Sequence, residues 1–157
     1  MPPPPLIDLA QLDLSRVLYE MPEVRSTNLQ RFEMEQISGI VHMDLEKAVV
    51  VAYRDVKPDE WWCRGHVPGR PLLPGVLMLE AAAQTSSFLI TRKLNTDRFI
   101  GFAGLDNVRF RGAVVPPARI FIASVGRKID MRRSEVDFQG FLDGKMIFEG
   151  TLIGMFL

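Results

Sequence analysis

The chain has 157 residues, the length of one ordinary domain, with 47% hydrophobic and 24% charged residues, the balance of a globular fold and not of a disordered one. Nineteen Lys and Arg match nineteen Asp and Glu, so the positive excess that drives binding to a phosphate backbone is missing, and no nucleic-acid partner is expected. The single cysteine, Cys63, cannot form an internal disulfide, and no apolar run approaches the ~20 residues of a membrane helix; a cytoplasmic protein with no membrane partner is expected.

In chain order, Met1-Pro2-Pro3-Pro4-Pro5 reads as a stiff arm, without the basic region of a secretory signal. Apolar residues from Leu6 to Leu18 partly fit helical spacing and predict a short helix or a docked arm, and Pro22 to Arg31 reads as a loop. Residues 1–35 are therefore set apart from a single domain over residues 36–157. Gln36–Met43 and Lys47–Val56 read as a hairpin of two strands, the second carrying the β-branched run Ala48-Val49-Val50-Val51-Ala52-Tyr53. After a Pro/Gly cluster, the Ala and Leu content of Gly75–Lys93 predicts a helix about 28 Å long. It is apolar on nearly every side, which requires burial all round. Four Phe/Ile/Val-rich runs follow: Arg98–Phe110, Arg119–Gly126, Glu135–Leu142 and Lys145–Ile153, with Asp143-Gly144 as a hairpin turn. This order predicts an α+β protein, one curved antiparallel sheet wrapped around one long central helix.

The residues that carry chemistry lie between Gly65 and Gln84. His66 precedes a rigid Pro/Gly loop, and Glu80 follows fourteen positions later, inside the predicted helix. Pro74-Gly75 opens that helix, so the amides of Gly75 and Val76 lack intrahelical acceptors at the positive end of the dipole. There they can bind a carbonyl oxygen that gains negative charge. Glu80 shares a face with Val76, and helical side chains lean toward the amino terminus, which aims the carboxyl at the same opening. Aliphatic neighbours favour its protonated form. A base, an acid and an oxyanion site are the parts that removal of water beside a carbonyl requires. Cys63 and His66 stand three apart, but with one cysteine and two histidines in the chain no metal is expected. Gln84 reads as a structural hydrogen-bonding residue. The basic run Arg127, Lys128, Arg132 and Arg133 reads as a solvated hairpin tip or as a docking patch for an acidic partner.

The stretch His66-Val67-Pro68-Gly69-Arg70-Pro71-Leu72-Leu73-Pro74-Gly75-Val76-Leu77-Met78-Leu79-Glu80, continuing to Gln84, resembles the signature of FabZ-type β-hydroxyacyl-[acyl-carrier-protein] dehydratases. The resemblance extends through Phe102–Phe110 and Val114-Val115-Pro116. It implies the hot-dog fold, His66 and Glu80 as the catalytic pair, and no cofactor. The implied reaction takes a (3R)-3-hydroxyacyl thioester on acyl carrier protein to the trans-2-enoyl thioester, in fatty-acid biosynthesis. It also implies a homodimer that shares each site between subunits, assembled as a trimer of dimers, with the carrier docked on Arg127, Lys128, Arg132 and Arg133. A sister family that also isomerises its product is similar, but has aspartate where Glu80 stands and cysteine where Val76 stands. Three features depart from the pattern: Val67 replaces a phenylalanine, Pro116-Pro117-Ala118 replaces Pro-Gly-Asp, and the family's amino-terminal signature is not recognisable in Pro22–Gln36. An acyl-thioesterase and a non-catalytic carrier-binding subunit stand as the alternative readings.

Overall fold

The computed structural model describes residues 1–157. Six strands, β1 (Gly39–Asp44), β2 (Val49–Val56), β3 (Ile100–Phe110), β4 (Ala118–Lys128), β5 (Arg133–Leu142) and β6 (Lys145–Phe156), form one antiparallel sheet in the order β1-β2-β4-β5-β6-β3. A short helix α1 (Met21–Arg25) precedes the sheet, and the long α2 (Gly75–Leu94) connects β2 to β3. This is the hot-dog arrangement expected from the sequence. Asp143 and Gly144 both take positive φ, 50° and 76°, as a tight primed turn requires, and they join β5 to β6 in the register Leu142↔Lys145.

Of the two readings of Leu6–Leu18 the docked arm holds: the segment packs on the sheet and carries a single 3-10 turn, Leu9–Gln11, among bends and turns. Two other local expectations are corrected. Pro22–Arg31 is not all loop: Pro22 lies in the first turn of α1, where its missing N–H costs nothing, and Val24 plugs the main core at 1% exposure. β1 starts at Gly39 because the Gln36 amide is taken by the side chain of Gln84 on α2, 2.8 Å away.

The apolar residues of α2, among them Leu77, Met78, Ala82, Phe88 and Leu89, pack into the main core beneath the sheet. The serine pair Ser86 and Ser124, 3.1 Å apart, ties the helix to β4. Asn95, left-handed at φ 48°, ends the helix and donates its N–H to the Arg92 carbonyl. Burial is not complete all round. Glu80, Ala83, Ser87 and Thr91 stay half-buried, and Val76 is 71% exposed. One sheet covers one side of the helix and leaves this stripe open.

The opposite face of the sheet is covered by the amino-terminal arm. Ile7, Leu9, Leu12 and Leu14 lie over Val41, Val51, Ala123 and Phe141. Gln139 clamps the arm, accepting from Leu6 N–H at 2.7 Å and donating to the Pro4 carbonyl at 3.2 Å. β2 is thus buried on both faces, with Val50 and Ala52 toward α2 and Val51 toward the arm. A strand covered on both faces reads as a continuous hydrophobic run, which is the pattern of Ala48–Tyr53. Gln139→Ala removes both clamp bonds and is expected to lower the unfolding free energy by about 1–2 kcal/mol. Deleting residues 2–17 is expected to lower the melting temperature further and to raise binding of a hydrophobic dye, because it bares the Val41/Phe141 patch.

A buried ion pair anchors the turn that leads out of β2. Arg54, 2% exposed, donates to Glu60 Oε1 at 2.8 Å and to Gln36 Oε1 at 2.8 Å. Glu60 also accepts from Lys57 N–H at 2.8 Å and from Trp62 Nε1 at 3.3 Å. Burial alone would push the Glu60 carboxyl up, but the Arg54 hydrogen bond and the Lys57 amide outweigh it and hold the group below its ordinary value. Such a depressed carboxyl contributes stability that is present above the unfolded value, near 4.5, and lost as pH falls through the folded one. Urea titrations from pH 6 downward should therefore show a shallower acid-side loss in Glu60→Gln than in the parent. Glu60→Leu, which strands the Arg54 charge, is expected to cost about 3–5 kcal/mol, and adding Arg54→Met should recover most of it.

Candidate active site

His66 stands in the loop between β2 and α2. Its amide donates to the Trp62 carbonyl at 2.8 Å, so the Trp61-Trp62 turn set by Glu60 also sets the histidine. Its Nδ1 lies 2.6 Å from the Leu72 carbonyl oxygen. A carbonyl only accepts, so Nδ1 carries the hydrogen and Nε2 of the neutral ring keeps the lone pair a base needs. The loop between them bends through left-handed backbone at Val67 (φ 60°) and Gly69 (φ 80°). That conformation is unstrained for glycine but strained for a β-branched residue. Leu73 N–H, bonded to the Val114 carbonyl at 2.9 Å, pins the far side of the loop to the segment before β4.

The first bonds of α2 run from the Leu77 and Met78 amides to the Pro74 carbonyl, at 3.0 and 3.2 Å. The Gly75 and Val76 amides precede them and have no acceptor in the helix. A Cβ at Gly75 would come within 3.0 Å of the Phe110 ring, so glycine there lets β3 approach the helix start. His66, Val76, Leu77 and Trp62 line one cavity of about 490 Å³ at this end of the helix.

Glu80 opens into a different cavity, about 570 Å³, which shares no lining residue with the first. The single chain therefore does not aim both groups at one opening, as the helix geometry alone predicted. Glu80 Oε1 accepts from Gln84 Nε2 at 2.8 Å. Gln84 is held in turn: its Nε2 donates to the Met34 carbonyl at 2.6 Å and its Oε1 accepts from Gln36 N–H at 2.8 Å. Every polar atom of the Gln84 amide has a fixed role, which leaves Glu80 Oε2 as the oxygen free to act. Sequence reading found Gln84 but missed the support behind it. Arg54, a charge inside a β-branched strand, was the available signal.

The basic run lies on the β4–β5 hairpin. Asp130 accepts from the Arg132 and Arg133 amides at 2.8 and 3.0 Å, and these bonds hold its carboxyl below the usual range. Arg127, Lys128 and Arg133 pair with Asp137, Asp130 and Glu135 at 3.6, 3.5 and 3.2 Å. Only the Arg132 side chain is without a carboxylate partner. All of these pairs are exposed and individually weak.

Known proteins resemble this chain over most of its length. A family model described as a FabA-like domain matches residues 28–151. A 3-hydroxyacyl-[acyl-carrier-protein] dehydratase FabZ from Clostridium beijerinckii is 32% identical over 83% of this chain and 94% of its own length. Another, from Tolumonas auensis, is 31% identical over 93% of this chain and 95% of its own. Among solved structures, the dehydratase heterocomplex ApeI:P from Xenorhabdus doucetiae superposes with a TM-score of 0.74 at 16% identity, covering 90% of this chain and 93% of that one. A hypothetical thioesterase from Streptococcus pneumoniae, solved with coenzyme A, reaches 0.63 at 11% identity, covering 87% and 96%; at these identities the likeness is one of fold. With four-fifths of its length matched by the family model and FabZ dehydratases a third identical to it, the chain belongs to the FabA-like family of hot-dog dehydratases.

Proposed function

We propose that this protein dehydrates (3R)-3-hydroxyacyl-[acyl-carrier-protein] to the trans-2-enoyl thioester, as a hydro-lyase of fatty-acid biosynthesis. The observation that carries the reading is the fixed tautomer of His66, whose Nδ1–H is engaged by Leu72 and whose Nε2 is left basic. In this mechanism Nε2 takes the α-proton, and the Gly75 and Val76 amides hold the thioester oxygen as charge develops. Glu80 Oε2 then gives its proton to the departing hydroxyl, which leaves as water. The chain's own groups suffice, so no cofactor or metal is required.

Because His66 and Glu80 open into separate cavities, the working site is completed between two copies of the chain. β3 is one of the two edge strands of the sheet, and it carries Phe102 and Phe110 at 50% and 51% exposure. Unpaired strand edges with exposed aromatics favour pairing with a second sheet. A homodimer through this edge brings His66 of one copy toward Glu80 of the other, and a trimer of such dimers is the larger assembly we assign. The protein acts in the cytoplasm, where its carrier-bound substrates are made; no helix is long and apolar enough to cross a membrane. Arg127, Lys128, Arg132 and Arg133 guide the acidic carrier by charge, acting together across weak local pairs.

His66→Ala and Glu80→Gln are each expected to lower kcat by roughly 10²–10⁴ with folding intact, read by the appearance of the enoyl thioester. Free acid in place of enoyl product would mean thioester hydrolysis. When the two inactive variants are unfolded together and refolded, one site of each mixed dimer keeps both native groups. Random pairing should then restore about one quarter of the parent activity; no recovery would place the whole site within one chain.

Reversing Arg132 and Arg133 to Glu should raise KM for the carrier-bound substrate, most at low salt, and leave turnover of a pantetheine thioester unchanged. Equal losses on both substrates would make the hairpin structural.

A further inference from the structure

The Glu80 cavity does not end at the acid. It continues along α2 over a stripe of polar side chains, Glu80, Gln84, Ser87, Thr91 and Asn95, spaced so that all share one helix face. Ser87 and Thr91 lie ~10 and ~16 Å from Glu80 along the axis. In contrast to Ser86, Thr85 and Gln84, the hydroxyls of Ser87 and Thr91 have no hydrogen-bond partner in the chain. Across the cavity Gln30 presents a buried Oε1 that is likewise unpaired.

At the far end stands Arg92, half-buried, stacked on Phe88 and Tyr19 at 4.9 and 5.1 Å, with only its Nε engaged, by Thr27 at 3.0 Å. It forms no ion pair, whereas Arg25, Arg54, Arg111 and Arg119 each pair with a carboxylate. Arg98, stacked on Phe156 at 5.3 Å, lines the same end, with one carboxylate nearby, Asp97 on the rim. Ile90, Phe99 and Leu152 supply apolar wall to the same cavity. A cavity meant for a plain alkyl chain would leave these hydrogen-bonding groups facing it without partners, which is unfavourable.

We propose that this cavity receives the substrate's acyl chain and that Arg92, with Ser87 and Thr91, binds an oxygen function at the chain's far end. The preferred 3-hydroxyacyl substrates are then those with a hydroxyl- or carboxylate-bearing tail, not a methyl-terminated one. The proposal rests on the dehydratase reading for the chemistry at the thioester end; the tail preference is a separate property of the cavity.

The test compares three length-matched pantetheine thioesters, 3-hydroxytetradecanoyl and its ω-hydroxy and ω-carboxy analogues, whose tails are long enough to reach Thr91 and Arg92 from the acid, by kcat/KM. Their unreactive amide counterparts are compared in parallel by calorimetry. At least one oxygen-terminated chain should exceed the methyl-terminated one by about tenfold or more in both measurements, and which of the two wins identifies the tail. Arg92→Met, which keeps the apolar stem on Tyr19 and Phe88, should bring the ratio near unity, and Arg92→Lys should keep part of it. Equal or better handling of the methyl-terminated chain would overturn the proposal. So would a ratio unchanged in both Arg92→Met and Ser87→Ala/Thr91→Val. If the amides show the preference while no thioester is dehydrated, the tail site stands and the dehydratase reading falls.

Discussion

A single sheet that curves around a helix covers one side of it, and the side left over organises the rest of this protein. The inner face of β2, β4 and β5 takes up the aliphatic and aromatic half of α2. The remaining stripe carries Val76, Glu80, Ser87 and Thr91, residues too polar or too exposed to belong in a closed core. Both cavities border this uncovered side, one at the helix start and one along its length. The same incompleteness leaves β3 as a free edge beside them. Fold and site are one consequence of the same shortage of cover.

The polar residues that do enter the core form a connected chain. Glu60 holds Arg54, Arg54 holds the Gln36 side chain, the Gln36 amide is held by Gln84, and Gln84 holds Glu80. Glu60 also reaches Trp62, whose carbonyl positions His66. Buried polar groups are costly when half-satisfied and orienting when fully satisfied. Here the network reaches both His66 and Glu80 from one buried ion pair, so the placement of the two side chains is tied to Arg54 and Glu60, which line neither cavity. The residue left over, Arg54 Nε, is the one buried donor of that pair without a partner.

The outer face shows how the chain treats its other exposed sheet surface. Instead of polar residues on β2, β4 and β5, it uses its own amino terminus as cover, fixed by the two bonds to Gln139. Four consecutive prolines limit the conformational freedom lost when the arm docks, since their φ angles are already confined.

Much of this was legible in the residues. α2 could be read from composition and length, and β5–β6 from Asp143-Gly144. Those signals are local, carried by neighbours within a turn or two, and local stereochemistry decides them. The helix α1, hidden behind Pro22, was missed because its stability comes from Val24 in the core and not from periodicity. The separation of His66 from Glu80 was implied by the family resemblance and not by spacing: helical spacing fixes the angle between two side chains but not the direction from which a loop approaches. Only the tertiary structure decided which charges were paired, as in Arg119 with Asp55 or Arg111 with Glu149, and which, like Arg92, were left facing a cavity. Such partners are dozens of residues apart along the chain. Their encounter depends on how the sheet wraps the helix, a property that no short window of sequence contains.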